Sequence, residues 1–397
     1  MQVAPNKIIL ILAICISFTG FSHAAGGISA SDSLSDSVQH IESNTESKNI
    51  FHRIISYFDD TNKPKKKKKF DISFIGGPHY SSDTQLGIGL MAAGNYYLKG
   101  DTTLMPSNVS LYGDVSTVGF YLLGVRGNNI FPGDKMRLEY NVNFYSFPTK
   151  FWGIGYANGR NKNNETKYDL FSTKVSADLF FKLTEGLYIG PGAQFAYTKG
   201  SDINPEFLYL WEGQKVRTLT TFLGFSAKYD TRDSYTEPHS GWLLSLTQRF
   251  APRFLGNKMA FSYTAMEACH YRKVWKGGVV AASVGGTFNY GNVPWTMLAT
   301  FGGSKAVRGY YEGRYRDKVE VEAIVELRQH VWRRNGVVVW GGAASVAPSV
   351  AGLRSKALLP CGGVGYRWEF KKRTNIRLDF GIGRGETSFI FNINEAF

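Results

Sequence analysis

Residues 318–328 read Lys-Val-Glu-Val-Glu-Ala-Ile-Val-Glu-Leu-Arg, a stretch that changes character at nearly every step. Val319, Val321, Ala323, Val325 and Leu327 fall on one face, and Glu320, Glu322, Glu326 and Arg328 on the other. A period of two is that of a β-strand, whose successive side chains point to opposite faces. Alternation alone also fits a sandwich with one wet face, so strand length has to separate the two cases. Working outward from this stretch, the same pattern recurs from about Phe70 to Phe397, at 70–80, 84–98, 104–113, 116–127, 134–147, 166–182, 186–199, 215–231, 241–250, 258–274, 277–290, 319–333, 336–347, 357–370, 374–383 and 387–397. Segments of about ten to seventeen residues exceed the roughly five or six usual in soluble sheets and suit a tilted crossing of a bilayer. In hydrocarbon an unpaired edge would cost several kcal/mol per group, so the strands must close on themselves. The expected fold is all-β, a sixteen-stranded antiparallel transmembrane β-barrel of the outer membrane. Its even strand number puts both termini in the periplasm.

Composition agrees with this class. The chain is 43% hydrophobic and 15% aromatic with 44 glycines, yet no stretch after residue 30 is apolar for long enough to form a membrane helix. Lys7, the apolar run from Ile8 to Phe18 and the small-residue site at Ser22, His23 and Ala24 predict a secretory signal peptide over 1–24. Residues 25–69 are polar and end in Lys63 and Lys65 to Lys69. That block contributes to the net charge of +14. Export makes nucleic acid a poor partner and anionic lipid headgroups a nearer one. Ile50, Phe51, Ile54, Ile55 and Phe58 recur at helical spacing and predict a short amphipathic helix over 49–60, either on the membrane surface or entering the lumen.

Chemistry of the catalytic kind is not written into the chain. The histidines are scattered, and there is no HExxH, CxxC or GxSxG, so no metal, cofactor or catalytic residue is expected. Beyond the signal peptide only Cys269 and Cys361 remain. Strand parity puts one outward and one inward, which disfavours a disulfide. Three connections are short, at Thr184 to Gly186, Trp275 to Gly277 and Arg334 to Gly336, and should face the periplasm. The longer ones at 148–165, 200–214, 291–318 and 348–356 should face outward. Asp230 to Gly241 is long for its periplasmic side.

Within the longest connection lies Gly302-Gly303-Ser304-Lys305-Ala306-Val307-Arg308-Gly309-Tyr310. A guanidinium with five donors, flanked by glycine and aromatics, seeks fixed acceptors. The loop is therefore expected to fold back into the lumen, where Arg308 needs a carboxylate. Parity offers Glu369 beside Arg367 and Asp379 beside Arg377 on late strands, and Glu320, Glu322 and Glu326 on the strand after the loop; Glu369 and Asp379 are the favoured partners.

Together Phe301 to Tyr310 (FGGSKAVRGY), Tyr229 to Trp242 (YDTRDSYTEPHSGW), Phe151 to Gly159 (FWGIGYANG), Gly362 to Phe370 (GGVGYRWEF), Asn375 to Gly383 (NIRLDFGIG) and the terminal NEAF resemble the barrel domain of the bacterial surface antigen family, which includes the BamA and TamA assembly factors. The resemblance spans nearly all of 70–397. It implies a sixteen-stranded barrel whose sixth outer loop, carrying Gly302, Gly303, Val307, Arg308, Gly309 and Tyr310, tucks inside, with Phe397 as the C-terminal strand signal. It also implies insertion of outer-membrane proteins or passage of polypeptides across a Gram-negative outer membrane. Two departures stand out. The segment 25–69 is too short and too polar for a periplasmic POTRA module. Where the family often has FxDxG, Val338-Val339-Trp340-Gly341-Gly342 puts glycine in place of the acid.

Three functional classes follow. One is a polypeptide-handling barrel whose first and last strands part, with Gly76, Gly77 and Pro78 weakening the first strand. Another is a passive pore lined by Arg137, Glu139, Lys174 and Asp178, and a third is a membrane anchor for a separate periplasmic partner. An enzyme is not expected.

Overall fold

The structure is a computed structural model that describes residues 70–81, 84–98, 106–371 and 373–397. The expected signal peptide 1–24, the polar segment 25–69 and the helix at 49–60 lie outside the described residues. The strands are β1 (Phe70–Ser81), β2 (Gln85–Tyr96), β3 (Ser107–Ser116), β4 (Tyr121–Ile130), β5 (Met136–Phe151), β6 (Thr166–Thr184), β7 (Leu187–Ser201), β8 (Arg217–Asp230), β9 (Gly241–Ala251), β10 (Phe261–Trp275), β11 (Gly278–Gly291), β12 (Ala299–Thr300), β13 (Arg316–Asp317), β14 (Val319–Trp332), β15 (Asn335–Ala347), β16 (Leu359–Lys371), β17 (Thr374–Gly383) and β18 (Glu386–Ile393). All but β12 and β13 follow one another, antiparallel and in chain order, in one closed barrel. The two short strands pair with each other inside the β11–β14 connection.

The two faces of each strand separate as the alternation requires. Leu86, Ile88 and Leu90 of β2, Leu219, Leu223 and Phe225 of β8, Val337 and Val339 of β15, and Phe380 and Ile382 of β17 are exposed on the outside. Glu320, Glu326 and Arg328 of β14, Arg249 of β9, Arg367 of β16 and Arg377 and Asp379 of β17 are buried. A water-soluble domain hides the first set and wets the second; here the order is reversed. No helix among the described residues is long and apolar enough to cross a membrane.

Four tight hairpins share one end of the barrel. The β6–β7, β10–β11, β14–β15 and β16–β17 pairs each slip register by one residue just before the turn, at Lys182/Thr184, Lys273/Trp275, His330/Trp332 and Glu369/Lys371. A residue with positive φ sits at each turn, at Gly186, Gly277, Arg333 and Arg373. This is the turn-plus-bulge solution that lets short loops join strongly twisted strands.

Two readings of the sequence are corrected. Cys269 and Cys361 are both buried and unpaired. Cys269 sits 3.5 Å from Ser283 on the inner side of β10–β11, and Cys361 packs under the β11–β14 loop with Val307 and Tyr310, so parity was miscounted for one of them. The final strand does not run to Phe397. β18 stops at Ile393, and Asn394, at φ 68°, turns the last residues off the ladder.

The inside-out wall predicts the effect of charge on its outer surface. Val325→Arg, at an exposed central position of β14, should destabilise the membrane-embedded barrel by about 2–4 kcal/mol. Denaturant titration in lipid vesicles, scored by heat-modifiable mobility, measures it; a cost under about 0.5 kcal/mol would show that this face meets water.

Candidate functional site

The β11–β14 connection is a folded hairpin. Ala299 pairs with Asp317 and Thr300 with Arg316 at its neck, the Gly303 N–H donates to Tyr310 O at 2.9 Å, and the Gly313 N–H donates to Phe301 O. Its interior is aromatic: Phe301 stacks on Tyr315 with ring centres 5.9 Å apart, and Tyr310 meets both edge-on. Val307 is fully buried among Ile324, Val338, Trp340 and Cys361. At Gly309 φ is 109°, and an added Cβ would lie 2.7 Å from the Ile382 carbonyl carbon. The loop backbone thus runs flush against β17, which only glycine permits.

Arg308 is the deepest charge of the loop. Its Nη1 donates to Asp379 Oδ2 at 2.7 Å, its Nη2 donates to Glu326 Oε1, and its Nε donates to the Ala306 carbonyl. The guanidinium lies 3.8 Å from the ring centre of Trp340, and Arg308, Glu326 and Asp379 are each 0% exposed. Two charge-assisted bonds and an aromatic face replace the water this cation has lost. Trp340 belongs to the Val338–Gly342 stretch that lacks the family's acid. Its ring takes that side of the cation, and the carboxylates come from β14 and β17 instead.

Of the acids singled out from the sequence, Asp379 lies at Arg308. Glu369 does not: it accepts from the Arg373 N–H at 3.0 Å, at the far end of β16 opposite Asn375. Glu322 points the right way but stands four residues from Glu326 toward the loop end of β14, away from the guanidinium. Parity chooses a face and says nothing of height, which depends on strand stagger. Asp379 is also shared. Arg367 Nη1 donates to its Oδ1 at 2.6 Å and Arg377 Nη1 to its Oδ2 at 3.3 Å, while Arg377 Nη2 holds the loop carbonyl of Ser304 at 2.6 Å.

Tyr310 closes the loop against the wall, donating to Pro360 O at 2.6 Å and accepting from the Arg384 N–H at 2.8 Å. Gly302 and Gly303 form the bend before the Arg308 segment. Arg314 pairs with Glu386 of β18, and its Nε donates to Gly159 O at 2.8 Å in the short helix α1 (Gly155–Arg160). A Cβ on Gly159 would fall 2.6 Å from the Tyr315 ring. This contact accounts for the glycine-rich 151–159 motif: it leaves room for the loop.

Sequence reasoning missed the other end. The tail 394–397 folds into the barrel, where Glu395 accepts from Arg367 Nε at 2.8 Å and lies 3.8 Å from Arg328. Phe397 packs on Tyr271 under Arg328, not among the outward aromatics. Across the open side of the tail runs the long β8–β9 connection. Tyr235 meets Arg137 of β5 on one side; on the other, Asp233 pairs with Arg373 at 2.9 Å, Glu237 accepts from Asn375, and Thr236 O accepts from the Glu395 N–H. Its unexpected length is the span needed to strap β5 to the β16–β17 turn and the tail. No alternation signals such a crossing. Burial opposes charge on Glu395, but Arg367, Arg328 and Asn375 outweigh it and hold the carboxyl down at about 2. Burial also opposes charge on Asp233, yet the His239 and Ser240 N–H groups and Arg373 keep it below the usual carboxylate range.

The remaining inward charges are largely paired: Asp178 with Arg249, Glu139 with Lys228 at 2.6 Å, and Arg137 with Asp134 at 2.7 Å. Lys174 is exposed. A polar cavity of about 330 Å³ remains beside them, lined by Asn108, Arg126, Glu139, Asn141 and Asp178 among others. No cluster that could hold a metal ion occurs among the described residues.

A closed antiparallel barrel with an arginine loop pinned to its inner wall defines a class, and the Omp85 superfamily domain matches residues 127–351. The chain belongs to the Omp85 superfamily, a family of outer-membrane assembly and translocation barrels. Similar solved structures include BamA from Haemophilus ducreyi lacking POTRA domains 1–3, with a TM-score of 0.55 and 14% identity over 87% of this chain and 79% of that one. CdiB from Acinetobacter baumannii gives 0.53 and 10% over 83% of this chain and 60% of that one, and CdiB from Escherichia coli 0.51 and 9% over 83% and 61%. At these identities the likeness is one of fold, and the chain spans about three fifths of the CdiB chains. No curated protein sequence matches it.

Two outcomes are expected. Arg308→Ala leaves Asp379 and Glu326 facing each other across an emptied site and should cost about 3–5 kcal/mol, read as a lowered unfolding midpoint with new protease cleavage within 302–318; unchanged cleavage would mean the pairing does not hold the loop. For the strap, depressed carboxyl pKa values give stability that is complete above the unfolded value and lost as pH falls through the folded one. Cleavage at 231–241 should therefore stay low from pH 7 to about 4 and rise only below that range; a rise between pH 7 and 5 would contradict these ion pairs.

Proposed function

We propose that this chain is a sixteen-stranded transmembrane barrel of the Gram-negative outer membrane, both ends periplasmic and its sixth outer loop in the lumen, which inserts outer-membrane proteins or passes polypeptides by parting β1 from β18. The observation that carries this reading is the seam. Among the described residues β1 and β18 meet at a single register pair, Ser81 with Ile390, whereas twelve join β1 to β2 and eight join β17 to β18. Few ladder bonds have to break there for an incoming strand to pair instead.

Strand length supports the same place. β18 has 8 residues and β17, β3 and β4 have 10 each, against 16 in β5 and 19 in β6. At about 3.3 Å per residue, β18, which forms one side of the seam, is less than half as long as β6, and a short apolar band thins the bilayer it sits in. Gly76, Gly77 and Pro78 lie in β1, on the other side of the seam. Residues 1–24 would serve as the export signal and 25–69 as a periplasmic lead-in to β1. Clients would be outer-membrane polypeptides, or a separate periplasmic partner would deliver them. A passive pore fits less well, because Arg308, Arg377 and the paired charges near Asp178 fill the space a solute would need.

Joining the seam tests this. With Cys269 and Cys361 replaced by serine, Ser81→Cys with Ile390→Cys should, once oxidised, abolish assisted folding of a reporter outer-membrane barrel in vesicles, and reductant should restore it. Undiminished assistance by the fully crosslinked barrel would contradict an opening seam.

A further inference from the structure

Three strands of one sector, β9 and β10 side by side and β14 one strand further on, carry tryptophans at their turn ends on the outer surface: Trp242, Trp275 and Trp332, at 45%, 55% and 60% exposure, with Tyr366 of β16 beyond them. Trp242 stacks on His270 at 4.0 Å, and Trp275 Nε1 donates to Gln329 Oε1 at 2.6 Å, so the row is held in place. Beside it Arg272, Lys273, Lys276 and Arg333 are exposed, with Arg333 lying 4.5 Å over the Trp332 ring. The two turns that carry these cations touch, through the His330 N–H to Gly277 O at 2.7 Å.

Several other cations on this rim have partners: Lys182 with Glu185, Arg137 with Asp134, Arg232 with Asp230 and Arg373 with Asp233. Arg272, Lys273, Lys276 and Arg333 have no carboxylate partner among the described residues, and neither Ala268–Gly278 nor Leu327–Gly336 contains an acidic residue. Four unneutralised cations on adjacent turns repel one another, and the arrangement calls for an external anion. Indole rings at the edge of an apolar band mark the depth of lipid headgroups, where phosphodiesters lie.

We propose that this sector of the rim, from β9 to β15, binds the phosphate headgroups of anionic phospholipids in the periplasmic leaflet of the outer membrane. The proposal rests on the transmembrane, termini-inward reading above. Tryptophans would seat the barrel at headgroup depth, and Arg272, Lys276 and Arg333 would gather phosphatidylglycerol-type lipids beneath them. Because the row lies across the barrel from β2–β4, it would anchor that side and leave lipid around the seam free to exchange.

Native mass spectrometry tests this on the mature barrel taken from nanodiscs of equimolar phosphatidylglycerol and phosphatidylcholine. Wild type should retain phosphatidylglycerol in excess, and Arg272→Gln with Lys276→Gln and Arg333→Gln should cut that enrichment about tenfold with folded mobility unchanged. Equal retention of both lipids by wild type, or enrichment untouched by the substitutions, overturns the proposal. So does an excess that polyglutamate abolishes in detergent but not in the bilayer, which would mark the rim as a docking face for an acidic protein. Quenching of the tryptophans by lipids brominated on their acyl chains separates the failures: its absence would sink the membrane reading itself, whereas quenching without enrichment would sink only the headgroup site.

Discussion

A guanidinium without water has to be met by anions, and the inside of this barrel is arranged around that need. Arg308 enters on a loop, and Asp379, Glu326 and the Trp340 ring converge on it from three different strands. Asp379 in turn holds Arg367 and Arg377, and Arg367 holds Glu395 of the tail. One ionic chain therefore runs from the loop at one end of the barrel to the tail at the other. Removing any member strands a buried charge, so the chain acts as a unit and its energies are not additive.

The ionic chain concentrates on one arc of the wall. It ties β14, β16 and β17 to the loop, and a separate ion pair of Arg314 with Glu386 ties the loop to β18. β1 has no part in it among the described residues; its inward His79 bonds to Asp114 of β3 instead. The barrel thus holds β18 to the loop and tail on one side of the seam, and β1 to β2 and β3 on the other, with one register pair between them. The β8–β9 strap fastens the same arc from below through Arg373 and Asn375. Rigid sides flanking a weak junction confine any opening to that junction.

Most of the wall was legible in the sequence because burial on one face of each strand imposes a period of two, and a slip of one residue would invert every side chain. The 318–328 stretch, the short turns and the long β11–β14 connection all read correctly as local features. What failed was everything depending on the third dimension. Glu369 shares a face with Asp379 yet lies at another height, because stagger between strands is not written in any one of them. Glu326 was visible only as one inward acid among three. Phe397 ends an alternating stretch, but Asn394 leaves the ladder, since the buried arginines offer Glu395 more than a continued strand would. The strap and the Trp340 stack are contacts between distant segments, and only the glycine-rich motifs hinted that some backbone approach was coming.

The central claim is that the arginine loop is part of the barrel interior and not a mobile outer segment. Backbone hydrogen exchange on the vesicle-embedded protein measures this directly, comparing amides 302–316 with those of β14 to β17. The ionic chain predicts loop protection close to that of the strands, falling to the level of the 202–216 connection when Asp379 is replaced by asparagine. Rapid exchange of 302–316 in the unaltered protein would contradict it.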